Sequence, residues 1–402
     1  MKKATIRQLE PGESQYKVSQ LRILSFSGLE HVGDTGFFER MYDWYQHHPL
    51  ADHMQRWISE TEDGEVVGHL AAMPLYYRID GERVIAHTPG DYMVHPDHSF
   101  QALALMRRFF KSVDNCFACD MVPAVITVET RFGAEVAGQM QYAAKLLNVS
   151  RLPLPSVPER LRKALGLPSY FSPSRGYTGH QDEGHARLGE PEPVPQPRPR
   201  APIPAPLKSA LNGGIEALDR LLYKGYGAGY EVERIDHFDE SFDEFFEKVA
   251  AIVPCIQEKD STFLNWRYGT DSPTYPVEVF AVRGSRGLLG YAVVKFLPKS
   301  GDAFILDLMA LPGYTQVARA LVRESVRYFR GLGAPIVRYR YLESPATPSG
   351  TDLRRLGFFN RGESRRNSIL VGFEDKQKHA AAMDLANWSY NIGDGEPTFW
   401  MR

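Results

Sequence analysis

One short pattern occurs twice in this 402-residue chain, once in each half. Residues 91–105 and 307–321 both begin as a strand-like stretch, meet a proline and continue as an amphipathic helix. The positions that coincide are Asp91 with Asp307, Met93 with Met309, Pro96 with Pro312, and Ala102-x-Ala104-Leu105 with Ala318-x-Ala320-Leu321. A strand that feeds directly into a helix aims free backbone N–H groups at one point, where an anion such as phosphate can bind. The repeat therefore predicts two related domains and a cofactor that carries an anionic group.

The composition is that of an ordinary globular protein. Lys and Arg number 47 and Asp and Glu 49, which gives a net charge of −2 and no overall attraction to nucleic acid or to an anionic membrane. The N-terminal residues lack the apolar core of a secretory signal, and no stretch reaches the length of a membrane span. We therefore expect a cytoplasmic protein. Cys116-Phe-Ala-Cys119 is a single CxxC without a second ligand pair, so we expect reduced thiols and no metal.

A proline-rich stretch divides the chain. Proline alternates through residues 191–206, which blocks both helices and sheet ladders, and we predict a semi-rigid linker over about 172–206. A recruitment site for a proline-binding partner is the alternative interpretation. The predicted units are an N-terminal domain 1–155, a bridging region 156–229, a C-terminal domain 230–375 and a tail 376–402.

The order of predicted elements also repeats. In the first half, apolar periodicity and turn residues predict a hairpin, a strand, a helix, a strand, a second helix and a final strand. These are Met54–Glu60 with Val66–Ile79, Glu82–His95, Ser99–Val113, Pro123–Glu129, Gly133–Leu147 and Ser150–Leu154. In the second half the corresponding segments are Val277–Val282 with Leu289–Phe296, Ala303–Leu311, Thr315–Arg330, Ile336–Leu342, a short helix ending in Leu353–Phe358, and Ser368–Phe373. This order predicts an α/β fold with mixed sheets.

Several short motifs accompany this order. Met93-Val94-His95-Pro96 and Met309-Ala310-Leu311-Pro312 end the two repeated strands, and Leu353–Phe358 ends in Leu-Gly-Phe. The arrangement resembles the GNAT superfamily of N-acyltransferases, present twice in tandem. Leu264–Tyr268 is similar to a segment of GNAT-like proteins encoded with bacterial surface-polysaccharide genes. The resemblance implies two GNAT-like domains, each with a mostly antiparallel central sheet, a strand splay and flanking helices.

The resemblance also implies acetyl-CoA or another acyl-CoA as co-substrate, with its pyrophosphate at the start of a helix. In the first half the residues that match the family's donor-binding strand end and loop are Met93, Val94, His95, Ser99, Phe100, Gln101, Ala102, Leu103 and Ala104. The family's loop reads Arg/Gln-x-x-Gly-x-Gly/Ala, whereas this chain has Ser99 at the first position and alanines for the small residues. In the second half Thr315, Ala318 and Ala320 stand there. Loss of CoA binding in one or both halves is the alternative, and we favour the first half as the active one.

Three residues are candidates for proton transfer. His87 and Asp91 alternate onto one face of the repeated strand, and an imidazole or a carboxylate there could take the proton of an attacking amine. The repeat of Asp91 by Asp307 also fits a structural role. Tyr142 falls on the helix predicted after the fifth strand, where the family often places an acidic tyrosine. A half-buried packing residue is the alternative for Tyr142.

The leading hypothesis is a GNAT enzyme that transfers an acyl group, most simply acetyl, from CoA to an amine of a small molecule or sugar. A transferase that takes aminoacyl-tRNA is the first alternative, and a non-catalytic binding protein of the same fold is the second. A homodimer is compatible with the sequence. The acceptor and the acyl chain length are not encoded in any motif that we recognise.

Overall fold

The computed structural model of the chain describes residues 3–10, 12–25, 35–150 and 205–396. The strands of the first half are β1 Ala4–Gln8, β2 Gln55–Thr61, β3 Val66–Ile79, β4 Glu82–Val94, β5 Asn115–Asp120, β6 Glu135–Gln139 and β7 Gln141–Leu146. Those of the second half are β8 Glu233–Ile235, β9 Cys255–Gln257, β10 Glu278–Gly284, β11 Gly287–Leu297, β12 Asp302–Ala310, β13 Ile336–Tyr341, β14 Phe359–Asn360, β15 Ser368–Phe373 and β16 Trp388–Ser389.

The helices flank these strands. They are α1 Tyr16–Ser25, α2 Thr35–Gln46, α3 Gln101–Ser112, α4 Pro123–Phe132, α5 Ala205–Leu222, α6 Ser241–Ala250, α7 Ser261–Tyr268, α8 Thr315–Gly331, α9 Gly350–Arg355 and α10 Lys376–Met383. No helix in the described ranges is long and apolar enough to cross a membrane. The predicted linker 172–206 and most of the strand predicted at Ser150–Leu154 lie outside the described residues.

The strands form two mixed sheets whose orders correspond strand by strand. The main path of the first sheet is β1-β2-β3-β4-β5-β15-β6, and the second sheet is β8-β10-β11-β12-β13-β7-β14. In each sheet the fourth and fifth strands are parallel, and the other pairs on these paths are antiparallel. The small strands β9 and β16 extend the first sheet beside the far end of β3. The predicted α/β fold with two sheets and flanking helices is confirmed.

Each sheet borrows its sixth strand from the other half of the chain. β15 of the second half lies between β5 and β6, and β7 of the first half lies between β13 and β14. The chain crosses from the first sheet to the second within one residue, at Met140, whose N–H donates to the Asn367 carbonyl. The predicted limits 1–155 and 230–375 stay predictions as domain boundaries, but neither range contains a complete sheet.

Two local predictions were wrong at this crossing. Pro123–Glu129 was predicted as a strand and is the helix α4, in which Pro123 takes the first position that a proline without an N–H tolerates. Gly133–Leu147 was predicted as a helix and is the strand pair β6 and β7. Gly138 there has φ 151°, which breaks any helix, and β7 gains ladder partners on both sides.

A central core lies between the sheet faces that point away from α3 and α8. Residues of α1, α2, α6 and α7 and of the C-terminal segment, which we define as residues 388–396, pack in it. Trp44 and Trp266 stack there with ring centroids 4.0 Å apart and exchange indole N–H bonds to each other's carbonyl. Residues 376–396, predicted as part of a tail, therefore form α10 and a segment that joins the halves.

The strand exchange predicts that neither half folds alone. Produced separately, residues 1–155 and 205–402 should each lack a cooperative unfolding transition, because the missing strand leaves two rows of unpaired backbone groups. Expressed together, the two fragments should copurify and show one transition by circular dichroism. Cooperative unfolding of the isolated 1–155 fragment would contradict the exchanged arrangement.

Candidate functional site

Each sheet opens into a wedge at its parallel strand pair. β4 is paired with β5 only at His87, opposite Cys116, among the described residues, and continues to Val94 without that partner. We call the opening between residues 88–94 of β4 and residues 117–120 of β5 the first wedge. β12 is paired with β13 over 302–305 and continues to Ala310, which makes the second wedge.

A β-bulge on the fourth strand of each sheet precedes the opening. In β4, Asp91 and Tyr92 stand where the partner strand has the single residue Leu70, and Asp91 takes a left-handed φ of 51°. In β12, the extra residue is Leu306. A bulge bends its strand and increases its twist, so each fourth strand turns away from its parallel neighbour at this point.

The chain itself covers the second wedge. The Ala310 N–H donates to the Ala346 carbonyl at 2.8 Å, so this part of the strand edge is already bonded. The C-terminal segment fills the opening: Asn391 bridges to Tyr341, and a Cβ on Gly393 would lie 2.6 Å from the Leu306 carbonyl oxygen. Little room is left there for the arm of a cofactor.

The turn after Gly225 covers the first part of α8 at Ala318 and Ala320, although residues 313–316 at the helix start are exposed. Gly227, in the turn after α5, lies so close to α8 that a Cβ on it would be 2.5 Å from the Ala320 Cα. Its N–H donates to the Gln316 side chain at 3.0 Å. Ala318 and Ala320, at the two small positions of the predicted phosphate loop, are consequently buried.

The corresponding turn of α3 in the first half is more open at these small positions, although the residues just before the small positions are exposed in both halves. A single 3-10 turn, Pro96–His98, leads into α3, and Ser99 and Phe100 are exposed. Ala102 and Ala104 are half-buried and Leu103 is exposed, in contrast to the buried alanines of α8. The two strand-to-helix turns therefore have similar backbones, and they differ in how exposed their small residues are.

The other predicted donor-binding residues are mostly engaged with the protein. Met93 is buried in the central core, the Val94 carbonyl accepts a hydrogen bond from the Ser25 hydroxyl at 3.3 Å, and the His95 N–H donates to the Val67 carbonyl. Gln101 is buried and its amide lies 3.4 Å from the Ala4 carbonyl. Their role in donor binding stays a prediction.

Asp91 is the acceptor of a buried cluster. Its carboxylate pairs with Arg22 of α1 and lies 3.3 Å from the His69 ring and 3.4 Å from the Tyr42 hydroxyl. Asp307, its counterpart, is bonded in the same way by Lys259 at 2.9 Å and by Tyr291 at 2.9 Å. These contacts attach α1 and α2 to the first wedge, and β11 and the loop before α7 to the second, as expected for the structural alternative.

His87 does not share a face with Asp91. It is paired with Cys116, whose side chain packs with α3, whereas the bulge turns Asp91 toward the central core. The His87 Nε2 lies 3.2 Å from the His53 carbonyl, and burial lowers the pKa of the imidazole. The sequence could not reveal the face because alternation reverses at the bulge.

Tyr142 lies on strand β7 in the second sheet, not on a helix after β5. It is buried opposite Arg340, its hydroxyl accepts from Arg338 at 3.1 Å, and the Arg340 guanidinium carbon lies 4.3 Å from its ring centroid. The structure thus does not bring Tyr142, His87 and Asp91 together. Their catalytic roles stay predictions.

Two carboxyl groups that the sequence did not mark as candidates for proton transfer lie beside the first wedge. Glu396, in the C-terminal segment, accepts a hydrogen bond from the Asp91 N–H at 2.6 Å. Glu129, on α4, is 1% exposed, and its Oε2 has no hydrogen-bond partner among the described residues. Burial, with the nearby charges of Asp120 and Glu396, raises the pKa of Glu129 to about 8. A buried carboxyl whose pKa is near the working pH can carry protons.

A signal for Glu129 was present in the sequence. It is the one charged residue between Pro123 and Thr130, a run that is otherwise apolar or carries only hydroxyls. Interpreted as the end of a strand, Glu129 was a residue that could line the acceptor cleft; the structure instead places it, buried, on the helix α4. The position of Glu396 beside Asp91 depends on the path of the C-terminal segment, so no pattern in the neighbouring sequence could predict it.

The raised pKa predicts how Glu129 affects stability. Below about pH 4.5 the carboxyl is protonated in both the folded and the unfolded chain, so it contributes no pH dependence. As the pH rises from there to 8, the unfolded chain loses the proton first, and the native protein loses stability. Glu129→Gln should therefore raise the free energy of unfolding at pH 9 by as much as roughly 3–5 kcal/mol, with much less effect at pH 5.

Urea unfolding at the two pH values measures this difference. Glu62→Gln, at an exposed position, serves as the control and should change neither value by more than about 0.5 kcal/mol. An equal effect of Glu129→Gln at pH 5 and pH 9 would be incompatible with a carboxyl that is protonated when folded.

The fold of the chain is similar to that of solved structures of GCN5-related N-acetyltransferases. Solved structures with this fold superpose on most of the chain. A probable N-acyltransferase from Enterococcus faecalis has a TM-score of 0.52 with 10% identity, over 94% of this chain and 74% of that one. A GCN5-related N-acetyltransferase from Anabaena variabilis has a TM-score of 0.51 with 10% identity, over 93% and 74%.

An N-myristoyltransferase from Saccharomyces cerevisiae, solved with bound myristoyl-CoA, has a TM-score of 0.50 with 9% identity, over 92% of this chain and 82% of that one. At such identities the likeness is one of fold. No family model and no curated protein sequence matches the chain.

Proposed function

We propose that the protein is an acyl-CoA-dependent N-acyltransferase that binds its donor in the first wedge. The observation that carries the proposal is the contrast between two matching wedges. The second is covered by Ala346, Gly227 and the C-terminal segment, whereas the first has two carboxyl groups nearby and half-buried rather than buried alanines in the first turn of its helix. A wedge without a function would more simply be covered like its counterpart.

The start of α3 suits the pyrophosphate of the donor. Backbone N–H groups and the helix dipole favour negative charge there, and the small side chains of Ala102 and Ala104 let an anion approach the backbone. The β4 edge from Pro89 to Val94, which has no β5 partner among the described residues, could then pair with the amide groups of the pantetheine arm. The donor would run from the helix start toward Glu129.

Glu396 and Glu129 divide the proton transfers between them. When the acceptor amine attacks the thioester carbonyl, a C–N bond forms and the nitrogen becomes positively charged. Glu396, on the side of the central core, takes the surplus proton, while the C–S bond breaks and the departing thiolate takes a proton from Glu129 on the side of α3 and α4. A Glu129 pKa of about 8 keeps that proton in place at neutral pH. Exchange with water restores both groups.

This assignment replaces His87 and Tyr142 as the first candidates for proton transfer. His87 points to the α3 face near His53, and Tyr142 is enclosed by arginines in the second sheet. Asp91 positions the strand through Arg22 and offers its N–H to Glu396. The proposal has further parts. The acyl group is acetyl, and the acceptor is an amine of a small molecule or sugar. The protein is a bacterial tandem GNAT protein, located in the cytoplasm, that forms a homodimer.

Donor binding should depend on the first helix start alone. Acetyl-CoA at millimolar concentration should raise the melting temperature of the native protein, and Ser99→Glu should abolish the shift because its carboxylate repels the pyrophosphate. Thr315→Glu, the matched change at the start of α8, should leave the shift intact. Differential scanning fluorimetry measures both.

Longer acyl-CoA donors in the same assay identify the preferred chain. The proposal would be wrong if no acyl-CoA protected the native protein, and the choice of wedge would be wrong if Thr315→Glu alone removed the protection.

Turnover should depend on both carboxyl groups. With an amine that the native protein acylates, Glu129→Gln should lower kcat about 10²- to 10⁴-fold and remove the loss of activity above a pH of about 8, because no acid remains to protonate the thiolate. Glu396→Gln should lower kcat and shift the remaining activity to higher pH, where more of the free amine is deprotonated. Release of the free CoA thiol measures the rate.

Both variants should keep the acetyl-CoA melting shift, since neither residue is assigned to the pyrophosphate. Wild-type kcat and an unchanged pH profile in Glu129→Gln would exclude it as the proton donor.

A further inference from the structure

A partly buried arginine on the inner face of the second sheet lacks a partner. The Arg340 side chain lies over the Tyr142 ring, yet it makes no hydrogen bond or ion pair with any residue that the structure describes, and its Nε is buried. Burial lowers the pKa of Arg340, and the neighbouring Arg338 and Arg361 act in the same direction. A guanidinium in such surroundings is costly unless an anion neutralises it.

Arg338, two residues earlier on β13, is an arginine whose charge is neutralised by an ion pair. Arg338 is on the same face of β13 and forms an ion pair with Asp302 at 2.6 Å, as well as a hydrogen bond to the Tyr142 hydroxyl. Among the residues that the structure describes, one arginine of this pair therefore has a carboxylate partner and the other has none.

A second polar side chain nearby is unsatisfied. Asn367 is 1% exposed, and neither its amide nitrogen nor its amide oxygen has a partner among the described residues. The backbone carbonyl of Asn367 accepts a hydrogen bond from the Met140 N–H. The Met140 sulfur lies 3.5 Å from the Cys119 thiol. Arg340 is close enough to Cys119 for its charge to act on that thiol. Arg340 and Asn367 thus flank the same pair of residues at the crossing between the sheets.

This place adjoins the first wedge. Cys119 precedes Asp120, the last residue of β5, and the charge of Asp120 acts on Glu129. The carboxyl groups of Asp120 and Glu396 therefore lie at the wedge beside Glu129, which keeps its proton, and the Arg340 guanidinium lies near Cys119 of β5. Acidic groups attract an ammonium ion, and a guanidinium binds carboxylate or phosphate in a bidentate fashion.

We propose that the acceptor carries an anionic group, a carboxylate or a phosphate, which binds Arg340 and Asn367 while its amine lies at the first wedge. This inference rests on the function proposed above. The protein would then accept amino acids, amino sugar phosphates and similar compounds. Polyamines and other acceptors that carry only positive charge would be poor substrates. Arg340 is a binding residue in this arrangement, and Arg338 shapes the site through Tyr142.

The test uses matched pairs of amines and one simple anion. L-Alanine is compared with L-alaninamide, and glucosamine 6-phosphate with glucosamine, as acceptors with acetyl-CoA. Within the pair that is turned over, the native protein should prefer the anionic member at least tenfold in kcat/KM. Arg340→Gln should remove that preference mainly through KM, and Arg340→Lys should keep part of it. Inorganic phosphate should bind the native protein by calorimetry and should not bind Arg340→Gln.

Stability separates a binding role from a structural one. Because Arg340 has no anionic partner, Arg340→Gln should melt within about 2 °C of the native protein or above it, whereas Arg338→Gln, which strands Asp302, should melt lower. The inference fails if Arg340→Gln keeps the preference for anionic acceptors or the phosphate binding, or if native protein binds no phosphate and prefers neither member. The acetyl-CoA melting shift, which Arg340→Gln should retain, reports separately on the proposed function.

Discussion

Both sheets depend on the exchange of one strand between the halves of the chain. Without β15, the facing edges of β5 and β6 would be unpaired, and without β7 the same would be true of β13 and β14. Unpaired backbone groups inside a protein are costly, so the exchange couples the folding of the halves. It also brings the C-terminal segment between the sheets, where Arg267 holds the Gly393 and Gly395 carbonyls.

The C-terminal segment makes two similar wedges unequal. Lys259 lies between Asp307 of the bulged strand and Asp394 of the segment, at 2.9 and 2.7 Å, and this buried network closes the second wedge. The same segment then delivers Glu396 to the first wedge. The C-terminal segment thus covers the second wedge and contributes a carboxyl group to the first. The first wedge is therefore the candidate active site.

Local patterns predicted most of the fold. Turn residues and alternation predicted the strands Val66–Ile79 and Glu82–His95 on either side of the Asp80-Gly81 turn. β3 has the predicted limits, and β4 ends one residue earlier. The strand at Ser368–Phe373 was also predicted, but not its neighbours. The errors lie at Pro123–Glu129 and Gly133–Leu147, where β-branched residues sit in a helix and an alanine-rich stretch sits in a sheet. Propensity is a weak guide there because contacts with distant strands decide the outcome.

The repeated Asp-x-Met-x-x-Pro pattern determined by itself that the chain forms two similar strand-to-helix turns, because proline and small residues act on the nearby backbone. Which turn stays accessible was decided by tertiary structure, because Gly227 and the C-terminal segment reach one wedge from far along the chain. The positions of the two proposed proton carriers, Glu129 and Glu396, were decided in the same way. Glu129 owes its raised pKa to burial, and burial is a property of the packed molecule, not of the order of its residues.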